Sequence, residues 1–545
     1  MTSPHSSRFE SHRPSVMGLN GMVSSGHPLA SQAGIQVLRD GGNAVDAAIA
    51  TAAALGVVEP AMSGPGGDGF MLIYMADQRK VFALNATGPA PAAATREYFV
   101  TRGGIPMRGI GSVSVPGIVD GWIRALDRFG ALPRKTVFGP AIALCEDGFP
   151  VSPKLAEALA PVTEAFASDE PTRDIFTRAG SPLQPGQILN QRALGGTLRN
   201  IAETGSEGFY RGEIARSIGE FSRARGGLLT ADDLAAYASS WDDPIQTTYR
   251  GVDVYEMPPN SSGHVLLQEL NIVERFDLGK LGCNSAECIH LMVEAKRLAF
   301  ADRETWMADP RWVDVPINKM LSKDYAARQA ERIHPDRSLK NVVTGIPEAT
   351  EDTTCFCTAD GKGNLVCMLQ SIQMGFGSLA VAGETGILLN NRMTYWHLDE
   401  QHPNCLQPGK RVRHTMNPVI AVRESNPFLA LGTPGADTQV QTNLQLLSHI
   451  IDFGMTPQEA VSAPRWRHLQ NPMESTIPHT CVDALNLESR FPPMVCDGLS
   501  KRGHNVQMLG GWSAAGSAQA IHVHPESGAL IGGSDPRRDG YSIAW

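Results

Sequence analysis

Two adjacent threonines, Thr353 and Thr354, follow an acidic pair within EDTTCFCTADGKGNLVCMLQSI, residues 351–372. A threonine hydroxyl is a weak nucleophile at neutral pH and needs a base beside it. If the chain were cut before Thr353, the new α-amine, whose pKa is about 8, could accept the hydroxyl proton. One residue would then supply both nucleophile and base. The dipeptide alone fits an ordinary β-branched strand equally well, so its surroundings must decide.

The sequence motifs of other enzyme classes are absent from this chain or stand in the wrong structural context. Gly64, Gly66 and Gly69 formally match GxGxxG, but a dinucleotide site needs a strand before the glycines and a helix after them. Here a helix-like run precedes the glycines and a strand-like run follows, which favours a tight turn or a backbone-lined pocket wall. Neither HExxH nor GxSxG occurs, so a zinc protease and an α/β-hydrolase are unsupported.

Composition narrows the class of protein further. The chain has 545 residues, a net charge of −9 and a pI near 5.9, which gives no reason to expect nucleic acid or a membrane as a partner. Its nine scattered cysteines contain no CxxC pair, so we predict reduced thiols and neither a metal site nor another cofactor. Cys355 and Cys357 flank the threonines and are interpreted as buried packing residues. The N-terminus lacks the apolar core of a secretory signal, and we expect a cytoplasmic protein.

Hydrophobic periodicity predicts alternating helical and strand-rich regions. Two helices are expected within residues 28–58, followed by a hairpin formed by FMLIYM and KVFALNA. Residues 112–340 look mostly helical, and residues 336–352 are polar and aperiodic, as expected of an exposed segment. From Thr353 onward the period becomes two, which predicts strands at TTCFCTA, LVCMLQSI, GILLNN, PVIAV and FLALG. The predicted fold class is α/β (α+β), with two sheets covered by helices in a four-layer αββα sandwich.

The sequence from Thr353 to Asn391 resembles the start of the small subunit of the γ-glutamyltranspeptidase family. The resemblance continues through PGKRVRHTMNP, LGTPGADTQVQT and TPQEAVSAPRW, and upstream through SGHPLASQAGIQVLRDGGNAVDAAIATAAALGVVEPAMSGPGGDGF and SVSVPGIVDGW. It implies the N-terminal-nucleophile hydrolase fold and a precursor that cleaves itself between Asp352 and Thr353. The products would be a large subunit, 1–352, with a flexible tail at 1–18, and a small catalytic subunit, 353–545. Whether the processed unit forms a homo-oligomer is left open.

The resemblance also assigns roles to individual residues. Thr353 matches the nucleophile, and Ser371 matches a hydroxyl that orients it. Gly435 and Ala436 match the backbone pair of the oxyanion hole, in which alanine serves if its backbone conformation is allowed.

The residues that would recognise a γ-glutamyl group differ from the family pattern. Thr87 stands where an arginine that binds the α-carboxylate is usual, and Tyr395 stands where an acidic residue binds the α-amine. The other substituted positions are Gln373, Arg392, His414 and Thr415, and the lid segment between Trp396 and Lys410 is short. Loss of a bidentate arginine removes a strong anchor. This pattern resembles the lidless branch that includes oxamate amidohydrolase.

We therefore expect an autoprocessed amidohydrolase that acts on a small amide through an acyl-enzyme on Thr353. Arg392 and His414, together with the lost acidic residue, favour an acyl group that carries a carboxylate and no ammonium. The alternatives are a true γ-glutamyltransferase or glutathione hydrolase with different anchors, and a non-catalytic binding protein. The intact set of Thr353, Ser371, Gly435 and Ala436 argues against the last.

Overall fold

The computed structural model describes residues 11–167, 169–339, 353–470 and 474–545. Two seven-stranded sheets, antiparallel throughout, form its centre. In spatial order, the first sheet contains Val16–Gly18, Leu530–Ser534, Gln519–Val523, Asn426–Gly432, Val419–Arg423, Val252–Glu256 and Ile245–Tyr249. The second contains Tyr541–Ala544, Gly21–Ser25, Thr354–Asp360, Leu365–Ser371, Asp68–Met75, Lys80–Ala86 and Ser240–Asp242.

The two sheets pack face to face through an apolar cluster to which both contribute. Phe70, Leu72, Cys355 and Cys357 belong to one side of this cluster, and strands of the other sheet supply residues such as Ile420. Both cysteines are at most 1% exposed, as expected of packing residues. Each outer face is covered by helices, so the predicted four-layer αββα sandwich is confirmed.

The helices form two layers, one on each outer face. The second sheet packs against a layer that includes Pro28–Arg39, Ala44–Val58, Ile118–Phe129, Arg134–Asp147 and Arg192–Thr204. The first sheet packs against Gly263–Val273, Ala286–Trp306, Lys323–Ala330, Gln439–Ile451, Pro457–Ser462 and Pro493–Lys501. The remaining helices are Arg96–Val100, Pro153–Leu159, Thr163–Phe166, Glu170–Phe176, Ser206–Tyr210, Glu213–Ala224, Ala231–Ala235, Leu278–Leu281 and Ile317–Met320.

Local sequence explains where the central helix begins. Asn43 caps Ala44–Val58, and Asp46 completes a capping box by accepting from the Asn43 backbone N–H. The helix is apolar on all sides, and all of its residues are buried, as expected of a helix inside a layered core. No helix in the described ranges is long and apolar enough to cross a membrane.

Several predictions need correction. Val16–Gly18, placed in the flexible tail 1–18, pairs with Leu530–Ser534, whereas residues 1–10 lie outside the described ranges. GILLNN makes only isolated bridges, at Leu388 and Leu389, because this segment crosses the strand ends rather than joining a sheet. Besides their helices, the described residues of 112–340 contain three strands of the central sheets, at 240–256, and four two-residue strands in two small sheets, at 149–189. The exposed segment predicted at 336–352 is described only to residue 339, and residues 336 and 337 are exposed.

The glycine-rich turn before Asp68–Met75 is a point of close backbone approach. A β-carbon on Gly67 would overlap the carbonyl oxygen of Ser371, and one on Gly66 would overlap that of Leu388. The glycines thus let this turn lie against the end of the hairpin strand Leu365–Ser371.

We expect Gly67→Ala to lower the free energy of unfolding by about 1–3 kcal/mol, since backbone atoms must move to admit the methyl group. Gly196→Ala is the matched control, because Gly196 lies within the helix Arg192–Thr204 and a β-carbon added there would enter open space. There the methyl group should stabilise the protein by about 0.5–1 kcal/mol. Thermal melting at one scan rate tests both, and equal midpoints for the two variants would contradict this account.

Candidate active site

Thr353 lies at the head of the central hairpin. It directly precedes the strand Thr354–Asp360, which pairs with Leu365–Ser371 on one side and Gly21–Ser25 on the other. Its hydroxyl donates a hydrogen bond to Ser371 Oγ at a distance of 3.2 Å, and the residue is 4% exposed. Thr354 points to the opposite face, where its hydroxyl donates to Glu59 Oε2 at 2.8 Å. The two threonines therefore have distinct environments, and Thr353 is the one beside Ser371.

Ser371 connects Thr353 to two of the residues singled out from the sequence. Ser371 Oγ accepts from the Gln373 backbone N–H at 2.8 Å and from Arg392 Nη2 at 2.9 Å. Gln373 has a left-handed backbone, with φ of 84°, and its side-chain amide donates to Thr476 Oγ1 at 3.3 Å. Arg392 thus lies two hydrogen bonds from the Thr353 hydroxyl.

A buried acidic residue, Asp68, faces Arg392 and His414. Asp68 Oδ2 lies 3.4 Å from Arg392 Nε and 3.9 Å from His414 Nε2, while Oδ1 accepts from the Gly88 backbone N–H. Burial, reinforced by the Arg392 charge, lowers the pKa of His414 to about 4. His414 is therefore neutral at neutral pH, and Asp68 balances the charge of Arg392.

Sequence reasoning missed Asp68. Its segment, SGPGGDGF, was interpreted only through its glycines. A lone acidic residue at the junction between a glycine-rich turn and a buried strand was the available signal.

Tyr395 and Thr415 lie next to Arg392 and His414, and we call these four residues the Arg392 wall. The Tyr395 hydroxyl lies 3.3 Å from Thr415 Oγ1, and its ring centre lies 4.7 Å from Arg392 Cζ. The Tyr395 ring also packs edge-on against His414, with centroids 6.0 Å apart. The structure thus brings Arg392, Tyr395, His414 and Thr415 together.

Thr87 is placed differently from the other predicted residues. Its hydroxyl donates to Asn85 Oδ1 at 2.7 Å and accepts from Asn260 Nδ2 at 3.2 Å. Asn260 in turn accepts the His414 backbone N–H through its carbonyl oxygen. Both asparagines bind the Thr87 hydroxyl, and Asn260 connects it to the backbone of His414 in the Arg392 wall.

Gly435 and Ala436 form the turn between the strand Asn426–Gly432 and the helix Gln439–Ile451. Their φ angles are 123° and 48°, so Ala436 occupies the left-handed region, which an alanine can adopt at a modest cost. The next residue fixes this turn: Asp437 forms an ion pair with Arg303 and accepts the Ser475 backbone N–H at 2.7 Å.

A cavity of about 540 Å³ opens beside this turn. Gly435, Ala436 and Thr476 are among its lining residues, and Thr476 is the residue that receives the Gln373 amide. Thr353 is not among the lining residues, and hydrogen bonds through Gln373 and Ser371 connect it to Thr476 in the cavity wall.

Four buried polar atoms near Arg392 have no hydrogen-bond partner among the described residues. They are Asp68 Oδ2, Gln373 Oε1, Arg392 Nε and His414 Nε2. Buried polar atoms in folded proteins are nearly always paired. A cluster of unpaired ones is what a site built to bind a polar ligand group would show.

The chain is similar to known proteins along nearly its whole length. The family model described as Gamma-glutamyltranspeptidase matches residues 30–545. The chain is 38% identical to the glutathione hydrolase-like YwrD proenzyme of Bacillus subtilis, covering 97% of this chain and 99% of that one. It is 35% identical to the oxamate amidohydrolase proenzyme of Klebsiella pneumoniae, covering 99% and 100%.

A solved structure gives the same result for the fold. The cephalosporin acylase from Bacillus halodurans superposes with a TM-score of 0.90 at 37% identity, covering 100% of this chain and 99% of that one. The fold is accordingly that of the N-terminal-nucleophile hydrolases, and the protein is an amide hydrolase or acyltransferase of that type. The chain belongs to the γ-glutamyltranspeptidase family.

Proposed function

We propose that the chain is a precursor that cleaves itself between Asp352 and Thr353 and then hydrolyses a small amide through an acyl-enzyme on Thr353. The observation that carries this proposal is the contact between the Thr353 hydroxyl and Ser371 Oγ, two hydrogen bonds from Arg392. Two relatives are named as proenzymes, which is consistent with such processing. Asp352 itself lies outside the described residues.

The proposed reaction uses groups already present in this site. The Thr353 hydroxyl oxygen attacks the amide carbonyl carbon, and the free Thr353 α-amine accepts the hydroxyl proton. The backbone N–H groups of Gly435 and Ala436 would stabilise the negative charge on the carbonyl oxygen. The proton then passes to the leaving amine as the C–N bond breaks. Water attacks the resulting ester, which releases the acid and restores Thr353.

We further propose that the acyl group carries a carboxylate. Arg392 lies two hydrogen bonds from the Thr353 hydroxyl, and its Nε has no hydrogen-bond partner among the described residues. His414, which is neutral, offers a further unpaired nitrogen. One relative is named for oxamate, an amide that bears a carboxylate next to its carbonyl group.

A second candidate is favoured by Asp68. The usual acidic position is occupied by Tyr395, but Asp68 Oδ2 lies 3.4 Å from Arg392 Nε and has no hydrogen-bond partner in the described structure. A carboxylate there could hold the ammonium group of a γ-glutamyl substrate while Arg392 holds its carboxylate. The two candidates thus differ in one substrate group, the α-ammonium.

Thr353→Ala should abolish both processing and amidase activity. Wild-type protein should give two bands of about two-thirds and one-third of the 58.5 kDa chain on a denaturing gel, whereas the variant should give one. Thr354→Val is the matched control, because that side chain binds Glu59 on the other face. A single wild-type band that Thr353→Ala does not change would refute the proposed processing.

The substrate candidates can be separated with glutaryl- and γ-glutamyl-p-nitroanilide, which differ only by the α-ammonium group. We expect kcat/KM to be higher for the glutaryl amide, and Arg392→Met to lower it by at least about 10-fold, because a charged hydrogen bond is lost. If γ-glutamyl is the natural acyl group, that amide will react faster. Asp68→Asn will then reduce kcat/KM for the γ-glutamyl amide selectively.

A further inference from the structure

Three clusters bring three metal-ligating atoms within 4.8 Å of one another in the described ranges. They are Cys355, Cys357 and Cys367; Glu304, His397 and His402; and His290, Glu294 and His504. Proximity alone does not make a metal site, since each ligand must present a free lone pair. The hydrogen bonds around each cluster show where the protons lie.

In the cysteine cluster, two of the three thiols donate to backbone carbonyl oxygens. Cys357 Sγ donates to the Gln519 carbonyl oxygen at 3.6 Å, and Cys367 Sγ donates to the Leu431 carbonyl oxygen at 3.1 Å. A carbonyl oxygen can only accept, so both sulfurs carry protons. Metal ions bind thiolates, and these residues are buried between the two sheets.

The cluster around Glu304 is excluded as a metal site by the tautomer of His402. His402 Nδ1 accepts the Asn404 backbone N–H at 3.0 Å, so the proton of the neutral ring resides on Nε2. That nitrogen lies 2.9 Å from Glu304 Oε1 and donates to it. The other Glu304 oxygen binds Arg413 at 2.7 Å. An ion-paired carboxylate and a protonated nitrogen leave no site for a metal ion.

In His290, unlike His402, the proton lies on the ring nitrogen that points away from the other members of the cluster. Its Nε2 lies 2.8 Å from the His334 carbonyl oxygen, which can only accept, so Nε2 carries the proton. Nδ1 therefore has no proton, and its lone pair accepts a hydrogen bond from His504 Nε2–H, 2.8 Å away. Metal-binding histidines are typically held in this way, with the second ring nitrogen donating to a backbone carbonyl.

Glu294 and His504 supply two more ligand atoms. Glu294 lies one helical turn after His290, on the same face of Ala286–Trp306. Its Oε2 accepts the Leu339 backbone N–H, whereas its Oε1 is buried without a hydrogen-bond partner in the described structure. His504 Nδ1 is likewise unpaired there, so the proton of Nε2 can move to Nδ1 and free the Nε2 lone pair.

The nearest competing cation is Arg297. Its Nε lies 3.5 Å from Glu294 Oε1, too far for a good hydrogen bond. Arg297 is held independently, because its Nη2 binds Asp483 at 2.9 Å. Glu294 Oε1 can therefore take a different partner without leaving Arg297 unpaired.

We propose that His290 Nδ1, Glu294 Oε1 and His504 Nε2 bind one divalent transition-metal ion of the Zn²⁺ class. Two imidazole nitrogens and one carboxylate oxygen are ligands that Zn²⁺ accepts, and a water molecule would complete a tetrahedron. His504 lies between the exposed residues Gly503 and Asn505, so an ion can reach the site from the surface.

The site would join parts of the chain that the proposed cleavage separates. His290 and Glu294 precede residue 352, and His504 follows it. The segment 334–339 is attached to the same place through His334 and Leu339. The bound ion would therefore act as a structural link between the two subunits of the processed protein.

The test uses full-length, processed protein without a polyhistidine tag, stripped with EDTA and titrated with Co²⁺ and Zn²⁺. We expect one equivalent to bind, with the visible spectrum of tetrahedral Co²⁺ and no thiolate charge-transfer band. Zn²⁺ should raise the melting temperature and EDTA should lower it. His504→Ala and Glu294→Gln should each weaken binding by at least about 100-fold, more than a change beside a ligand usually does.

His402→Ala is the matched control and should bind with unchanged affinity. Glu294→Gln nearly preserves shape, so it keeps the test valid if His504→Ala fails to fold. The proposal is overturned if wild-type protein binds no saturable equivalent, if neither variant weakens binding, or if the Co²⁺ spectrum shows thiolate ligation.

Discussion

The active-site region depends on the register between the strands Thr354–Asp360 and Leu365–Ser371. Thr354 pairs with Gln370, so the residue before Thr354 lies beside Ser371. A shift of one residue would turn Thr353 toward the helices and bring Thr354 to Ser371, since side chains alternate across a strand. The register is fixed by both faces: Cys355 and Cys357 pack between the sheets, while Phe356 packs under the helices. The contact between Thr353 and Ser371 is thus a consequence of core packing.

Around this hairpin, buried charge is placed in balanced pairs. Asp68 faces Arg392 near Ser371, and Asp437 faces Arg303 next to the Gly435–Ala436 turn. Removing one member of a buried pair leaves an uncompensated charge and is strongly destabilising. The two pairs differ in how many hydrogen bonds their charged atoms make. Asp437 has further bonds to Ser475, whereas Asp68 Oδ2 and Arg392 Nε lack hydrogen-bond partners in the described structure. This asymmetry is why we place substrate recognition at Arg392.

Local pattern was enough to predict the helices at 28–58, the hairpin at 353–371 and the layered fold. Periodicity reports which face of an element is buried, and these elements are strongly periodic. The failures concern contacts between residues far apart in the sequence. Asp68 escaped notice because its partner Arg392 lies on a different segment, and no local pattern links the two. GILLNN has strand-like composition, but its carbonyls face the glycine turn at Gly66 instead of a neighbouring strand. Resemblance predicts Thr87 as a substrate-binding residue, yet its hydroxyl binds Asn85 and Asn260.

The helix Ala286–Trp306 connects the proposed metal site with the active-site region. Its 21 residues span roughly 30 Å at 1.5 Å per residue. His290 and Glu294 lie in its first half, Lys296 and Phe300 line the cavity, and Arg303 anchors Asp437 beside Ala436. Near its end, Glu304 binds Arg413, the residue before His414. Because one continuous helix carries all of these contacts, an ion bound near its start would restrain the element that positions both the Gly435–Ala436 turn and the Arg392 wall. The ion would do so without touching any reacting atom, so its removal should affect stability before chemistry.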